Sequence, residues 1–432
     1  MNGNQTRHIS QFAQQYRPTS VGGLRRWLLL LALLGLWARG AGAAETLDGQ
    51  RIDKIEIHGI KRTDPAVVLR ELGLRTGDAV TERAWQLGLT RLWNCGLFSD
   101  VHGAVETRDG VRVLVLQLDE RWTLNPLFSF ASGGNSWWLR LGASESNLLG
   151  QFLELDGTYE RFNQYDGFSL QFRQPRLLGQ RVDLWLAAER LMRPRPDYVD
   201  RRTHGRLEIS ALFERDRLRI GGSVDAFAAN AVADPISGLR GAQDVAGAFV
   251  DASLRLGRLD ALRNRQQGAS VEIRPGLGQA GGQTWAQANA EALLFTAVGQ
   301  RWNFAARLRA AAMGQAPVQL HYYLGGLGEM RGFVDNRLRA RQYVLANLEA
   351  RYVAFDSTWF AFIPAAFADL AAARDDAAGD VGLISVGGGV RLVVPAFVRT
   401  GLRFDLAVPL RGGQCAKAWC PGLSVGVYQF FY

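Results

Sequence analysis

The chain has 432 residues, 47% of them hydrophobic, which is enough for one small domain and one large one. No stretch reaches the roughly 18–20 apolar residues of a membrane-spanning helix. The formal net charge is +9, yet the basic residues are mostly arginines scattered singly, with no basic run and no nucleic-acid motif. Nucleic acid is therefore excluded as a partner, and lipid headgroup contact or a compositional bias toward arginine accounts for the charge better.

Arg25 and Arg26 precede an apolar run from Trp27 to Trp37, and Ala41-Gly42-Ala43 follows it. A basic flank, a short apolar core and small residues predict a secretory signal peptide over residues 1–43, cut after Ala43. Export permits disulfides. Cys415 and Cys420 lie close enough in sequence to bridge within one loop, whereas Cys95 stands alone and reads as a small buried residue. The histidines, His8, His58, His102, His204 and His321, are dispersed and read as surface or loop residues. No metal-ligand spacing and no nucleophile set is present, so neither metal, cofactor nor enzymatic activity is expected.

Residues 50–121 read as a small α+β domain. Ile52, Ile55 and Ile57 form a short strand ending at Gly59. Thr63-Asp64-Pro65 starts a helix, carrying Val67, Val68, Leu69 and Leu72, that Gly73 stops. A second helix begins near Thr81 and buries Trp85, Leu89 and Leu92. Two strands follow, Val101 to Thr107 and Val111 to Glu120, joined by Asp109-Gly110, a strong hairpin signal. The second is apolar on both faces, as a central strand would be.

Residues 122–432 show no long helical pattern. Sixteen segments alternate apolar and polar positions, from 123–131 to 422–432, which predicts an antiparallel transmembrane β-barrel. The even count places both barrel ends on the periplasmic side. Longer connections at 192–203, 230–244, 315–341, 371–381 and 411–421 then face outward, the last holding Cys415 and Cys420. The chain ends inside a strand on alternating aromatics, including Phe430 and Tyr432, as an interfacial girdle requires. Pro126 cannot donate to the first strand's ladder and Gly426 weakens the last. Pro126, Gly426, Phe430 and Tyr432 therefore mark a seam able to open sideways. Glu145, Asp183 and Asp405 are lone strand carboxylates, read as lumen-facing structure.

The first domain, in strand–helix–helix–strand–strand order, resembles a polypeptide-transport-associated (POTRA) domain. Ile52-x-x-Ile55-x-Ile57-x-Gly59, Leu74-x-x-Gly77-Asp78 and Gly96-Leu97-Phe98-Ser99-Asp100-Val101 carry the likeness. The barrel half is similar to the outer-membrane protein assembly family of BamA- and TamA-like insertases, which also includes two-partner secretion transporters. The matching segments are Gly328-Glu329-Met330-Arg331-Gly332-Phe333, Asn147-Leu148-Leu149-Gly150, Gln174-Pro175-Arg176-Leu177-Leu178-Gly179 and Gly387-Gly388-Gly389-Val390-Arg391. Met330 departs mildly from the Val or Leu usual before the arginine.

The 315–341 connection is longer than a turn needs, so it is expected to fold into the lumen, where Arg331 requires a carboxylate. Asn347, Glu349 and Arg351 share the inward face of their strand, and Asp369 is the family-like acidic position on the next. Arg331 is expected to pair with Glu349 or Asp369. The resemblance implies capture of extended polypeptide by an exposed POTRA strand edge, with Val101 to Thr107 as the candidate. It implies insertion of outer-membrane proteins through the barrel of a Gram-negative outer membrane. The partners are then the lipid bilayer, unfolded outer-membrane or secreted polypeptides, and accessory periplasmic or lipoprotein factors. The alternative function is a secretion pore exporting one specific protein partner.

Overall fold

The computed structural model describes residues 49–133, 136–195, 198–213, 216–232, 243–262, 264–326, 329–333, 336–375, 379–394, 401–412 and 422–426. The expected signal peptide, the Cys415/Cys420 pair, Phe430 and Tyr432 lie outside the described residues.

The amino-terminal part carries β1 (Gln50–Arg51), β2 (Lys54–His58), a helix Pro65–Leu72, β3 (Ala79–Val80), a second helix Glu82–Asn94, β4 (Phe98–Arg108) and β5 (Val111–Glu120). Asp64 caps the first helix by accepting from the Ala66 amide, Pro65 opens it, and Gly73 ends it at φ 70°. Thr81 caps the second through the Ala84 amide. Asp109 and Gly110 both adopt positive φ, 51° and 81°, as a two-residue hairpin turn demands. The sheet order is β2-β5-β4, with β2 parallel and β4 antiparallel to β5. β5 is thus central, and its Leu114, Leu116 and Leu118 are buried. Trp85 packs against Gly103, where a Cβ would come within 2.3 Å of the ring, so a glycine there is a packing requirement. Cys95 is buried at the end of the second helix with its thiol donating to the Leu92 carbonyl, and burial pushes that thiol up to about 12.

The remaining strands are β6 (Leu124–Gly133), β7 (Ser136–Leu148), β8 (Leu153–Phe162), β9 (Tyr165–Gln174), β10 (Val182–Pro194), β11 (Val199–Phe213), β12 (Leu218–Val232), β13 (Val245–Leu262), β14 (Arg265–Ala280), β15 (Gln283–Val298), β16 (Trp302–Met313), β17 (Tyr322–Leu324), β18 (Leu338–Tyr352), β19 (Phe355–Asp356), β20 (Ala361–Asp375), β21 (Gly379–Val393), β22 (Gly401–Arg411) and β23 (Gly422–Gly426). They pair antiparallel in chain order and close into a barrel, β23 returning to β6. β16 pairs directly with β18, and β18 with β20, so β17 and β19 are short additions to the ring.

The wall alternates as a membrane barrel must. Along β18, Val344 and Leu348 are exposed on the outer face, while Leu345, Asn347, Glu349 and Arg351 are buried on the inner one.

The structure corrects three expectations. Two outward connections, expected at 192–203 and 371–381, are shorter than that, because paired strands continue into them: Pro194 lies opposite Val199, and Asp375 opposite Gly379. These tips carry Arg193, Arg195, Asp200 and Arg202, so apolar alternation fades there although backbone pairing does not. The arginines are also not chiefly headgroup contacts. Many point inward and pair across strands, as in Arg173 with Asp183 and Glu154, and Arg274 with Glu208 and Asp251. Charges drawn away from bulk water are held best when paired. Finally, His204 is not a surface or loop residue. It sits in β11, 3.0 Å from Glu189 and 3.5 Å from Asp225.

Candidate functional site

The connection from β16 to β18 returns into the barrel. β17 pairs with the start of β18, and Gly325 and Gly326 take positive φ before a bridge from Gly326 to Met330. Met330 is fully buried among Ala311, Leu324, Phe333, Leu338, Tyr343 and Leu383. The departure at this position therefore keeps the requirement the site imposes, an unbranched or branched apolar side chain that anchors the loop in the wall. Gly332, at φ 85°, packs against Ala407 of β22.

Between these anchors Arg331 points into a buried ion cluster. Its Nη2 donates to Asp369 Oδ1 at 2.7 Å and its Nε to Oδ2 at 2.8 Å, while its own amide reaches the same carboxylate at 3.1 Å. Its Nη1 donates to Glu349 at 3.0 Å. Phe367 lies beneath the guanidinium, 3.5 Å from ring centroid to Cζ, a cation–π contact on a planar cation. The ring fits because residue 387 is glycine: a Cβ there would sit 2.4 Å from Phe367.

The cluster extends further. Glu349 also accepts from Arg351 and Arg391, each at 2.9 Å. Asp405 pairs with Arg391 at 2.5 Å, lies 3.3 Å from Arg403 and is 3.6 Å from Arg331. Asn347 donates to Asp369 and to the Glu329 carbonyl, both at 2.8 Å, tying loop to wall. Gly389 leaves room for Asp405, whose Oδ1 would be 2.1 Å from any Cβ. Arg331, Arg351, Arg391 and Arg403 thus face Glu349, Asp369 and Asp405, all buried. This arrangement positions a loop against four strands, β18, β20, β21 and β22.

Sequence reasoning named Arg331, Glu349 and Asp369, and the structure brings all three together. It placed Asn347 and Arg351 inward and quoted Arg391 in a motif without joining them to the cluster, did not single out Arg403 or Phe367, and treated Asp405 as solitary. The signal was there: Arg391 and Asp405 both fall on inward positions of alternating strands.

The other candidates lie elsewhere. Gly426 stands opposite Ser129, the last of four described pairs between β23 and β6. Pro126 is three residues further along β6 and pairs with Ala143 on the opposite side, in β7.

The small amino-terminal sheet is fastened to one end of the barrel. Within the small domain, the Glu120 carboxylate accepts the amides of Lys61, Arg62 and Thr63 at 2.8, 3.0 and 2.7 Å and so orders the segment that meets the barrel. Asn147 donates to Thr63 Oγ1 at 3.0 Å, and the Asp64 amide donates to the Gly150 carbonyl at 3.0 Å. Arg176 pairs with the buried Glu71 at 2.5 Å, Arg91 with Asp216 at 2.7 Å, and Asn94 with Asp260 at 3.0 Å.

A closed antiparallel barrel with an apolar exterior, a charge-paired interior and an inward-tethered loop defines a transmembrane barrel of the bacterial outer membrane. Residues 147–418 match the Omp85 superfamily domain, and the chain belongs to the Omp85 superfamily. BamA and CdiB, members of this superfamily, are membrane assembly or transport proteins. A segment of 79 residues is 37% identical to the outer membrane protein assembly factor BamA of Nitratidesulfovibrio vulgaris, covering 18% of this chain and 10% of that relative. The fold is similar to that of CdiB from Escherichia coli (TM-score 0.62, 14% identity, 88% of this chain and 76% of that one). It is also similar to CdiB from Acinetobacter baumannii (TM-score 0.60, 14% identity, 89% and 74%). BamA from Haemophilus ducreyi lacking POTRA domains 1–3 is a third neighbour (TM-score 0.53, 15% identity, 87% and 84%).

Proposed function

We propose that this chain inserts or translocates polypeptides at the outer membrane. In this reading, a signal peptide over residues 1–43 is followed by one POTRA domain at 50–121 and a sixteen-stranded barrel at 122–432. One observation carries it: among the described residues, β4 is the outer strand of its three-stranded sheet with one edge unpaired, and that sheet is held at the mouth of the barrel. An unpaired edge adds an extended client through backbone hydrogen bonds, which read shape more than sequence. The client then passes to the seam between β23 and β6. Unfolded outer-membrane polypeptides are the clients, with accessory periplasmic or lipoprotein factors as further partners. The alternative, export of one secreted partner through the lumen, requires the buried cluster around Arg331 to be displaced from the path.

The test is a photo-crosslinking residue at Val105 of β4, in cells that also carry a disulfide between Phe130→Cys and Val425→Cys across the seam. Crosslinks to nascent barrel proteins and loss of their assembly when the seam is locked are expected. Crosslinks to one soluble exported protein, with export intact in the locked barrel, would replace this reading by the secretion pore.

A further inference from the structure

Two periplasmic turns share a sequence and an unusual backbone. Asn147-Leu148-Leu149-Gly150 joins β7 to β8, and Arg176-Leu177-Leu178-Gly179 joins β9 to β10. In each the second leucine is left-handed, at φ 57° and 51°, and the glycine after it is too, at 73° and 74°. Asparagine or aspartate would adopt this conformation readily; leucine meets a steric penalty and has no polar side chain to offset it. Leu149 and Leu178 are also 84% and 86% exposed. Among the large apolar side chains of the described residues only Trp359, at 82%, compares, and it lies at the same end of the barrel in the connection from β18 to β20.

The other side of each turn is engaged. Asn147 and Gly150 hold Thr63 and Asp64, and Arg176 holds Glu71. These contacts fix the turn and leave each leucine outside the contact with the small domain.

We propose that Leu149 and Leu178 insert into the headgroup–acyl boundary of the periplasmic leaflet, so that the same two turns clamp the small domain and set its height against the membrane. The occupant is lipid for two reasons. The turns continue strands whose outward residues, Leu141, Phe168, Leu170 and Leu186, already form the lipid-facing wall. In addition, Trp359 projects across the ring from the two leucines, and a leaflet surrounding the barrel reaches all three, whereas one docked protein covers a single arc.

The experiment uses full-length protein in phosphatidylethanolamine/phosphatidylglycerol vesicles, with Cys415 and Cys420 changed to serine. Nitroxides placed at Leu149→Cys and Leu178→Cys are expected to be several-fold more accessible to oxygen than to a water-soluble nickel chelate. A label at Thr107→Cys, exposed on the small domain, gives the reverse order. Chelate access at 149 and 178 equal to that at 107 would overturn the proposal, as would shielding that appears only when a second protein is added. The Leu149→Asn/Leu178→Asn variant keeps the left-handed turns and so retains the heat-modifiable barrel. Amide exchange in the helix Pro65–Leu72 is expected to rise several-fold in this variant in vesicles; unchanged exchange counts against the clamp.

Discussion

Arg331 and Asp369 meet through two parallel side-chain hydrogen bonds, and the backbone amide of Arg331 adds a third to the same carboxylate. Asp369 otherwise serves only Asn347 among the contacts described, whereas Glu349 is shared with Arg351 and Arg391. The two carboxylates are therefore not equivalent. Removing Arg331 as Arg331→Ala leaves buried carboxylates undercompensated and should cost roughly 3–5 kcal/mol. The loss is read as a lower urea midpoint for heat-modifiable migration. Exchange of charges in Arg331→Asp/Asp369→Arg should recover part of it. Exchange with Glu349 should not, because an arginine there would face Arg351 and Arg391.

Gly387 and Phe367 make a second prediction. Gly387→Ala places a methyl group 2.4 Å from Phe367 and 2.2 Å from the Leu406 carbonyl, so ring or strand must move. Overpacking of this kind costs about 1–3 kcal/mol. Combining it with Phe367→Leu should relieve the side-chain clash but forfeit the contact under Arg331. A double-mutant cycle on refolding yield in detergent would then show a coupling, and simple additivity would exclude it.

Much of this was legible in the sequence. Period-two alternation located the strands, and Asp109-Gly110, Asp64-Pro65 and Gly73 marked turns and caps at the residues where they occur. Inward placement of Glu349 followed from the same alternation. What escaped were relations across strands far apart in the chain. Nothing local to Arg391 says that Glu349 accepts from it, or that Gly387 exists to admit Phe367. Strand ends were misjudged because alternation reports lipid contact, while hydrogen bonding runs on beyond it, as at Pro194 and Val199.

Glu120 gives the small domain a pH dependence. Partial burial alone would raise its pKa, but hydrogen bonds from the Thr63 side chain and the amides of Thr63, Lys61 and Arg62 outweigh it and hold the carboxyl below its ordinary 4.5. A group depressed in the folded state stabilises above its unfolded pKa, and that contribution is lost as pH falls through the folded one. Amide exchange at 61–63, corrected for intrinsic rates, should therefore accelerate below about pH 4.5. Glu120→Gln should be fast already at neutral pH and lose the acid step.

The Glu71–Arg176 pair tests the attachment of the small domain. Glu71 is buried, so Glu71→Ala leaves Arg176 beside its remaining neighbours without that carboxylate, at a cost of roughly 3 kcal/mol. Protease sensitivity near residues 121–123 should rise while barrel migration stays normal. An unchanged cleavage rate would mean that the Asn147–Thr63 and Arg91–Asp216 contacts suffice.

The points that hold the small domain fall on the turn between β7 and β8, the turn between β9 and β10, Asp216 before β12, and Asp260 near the end of β13. One semicircle of the rim is thereby stiffened like a bracket, while among the described residues no such contact reaches the strands from β18 through β23. A pull on the small domain would therefore load the braced half of the rim first.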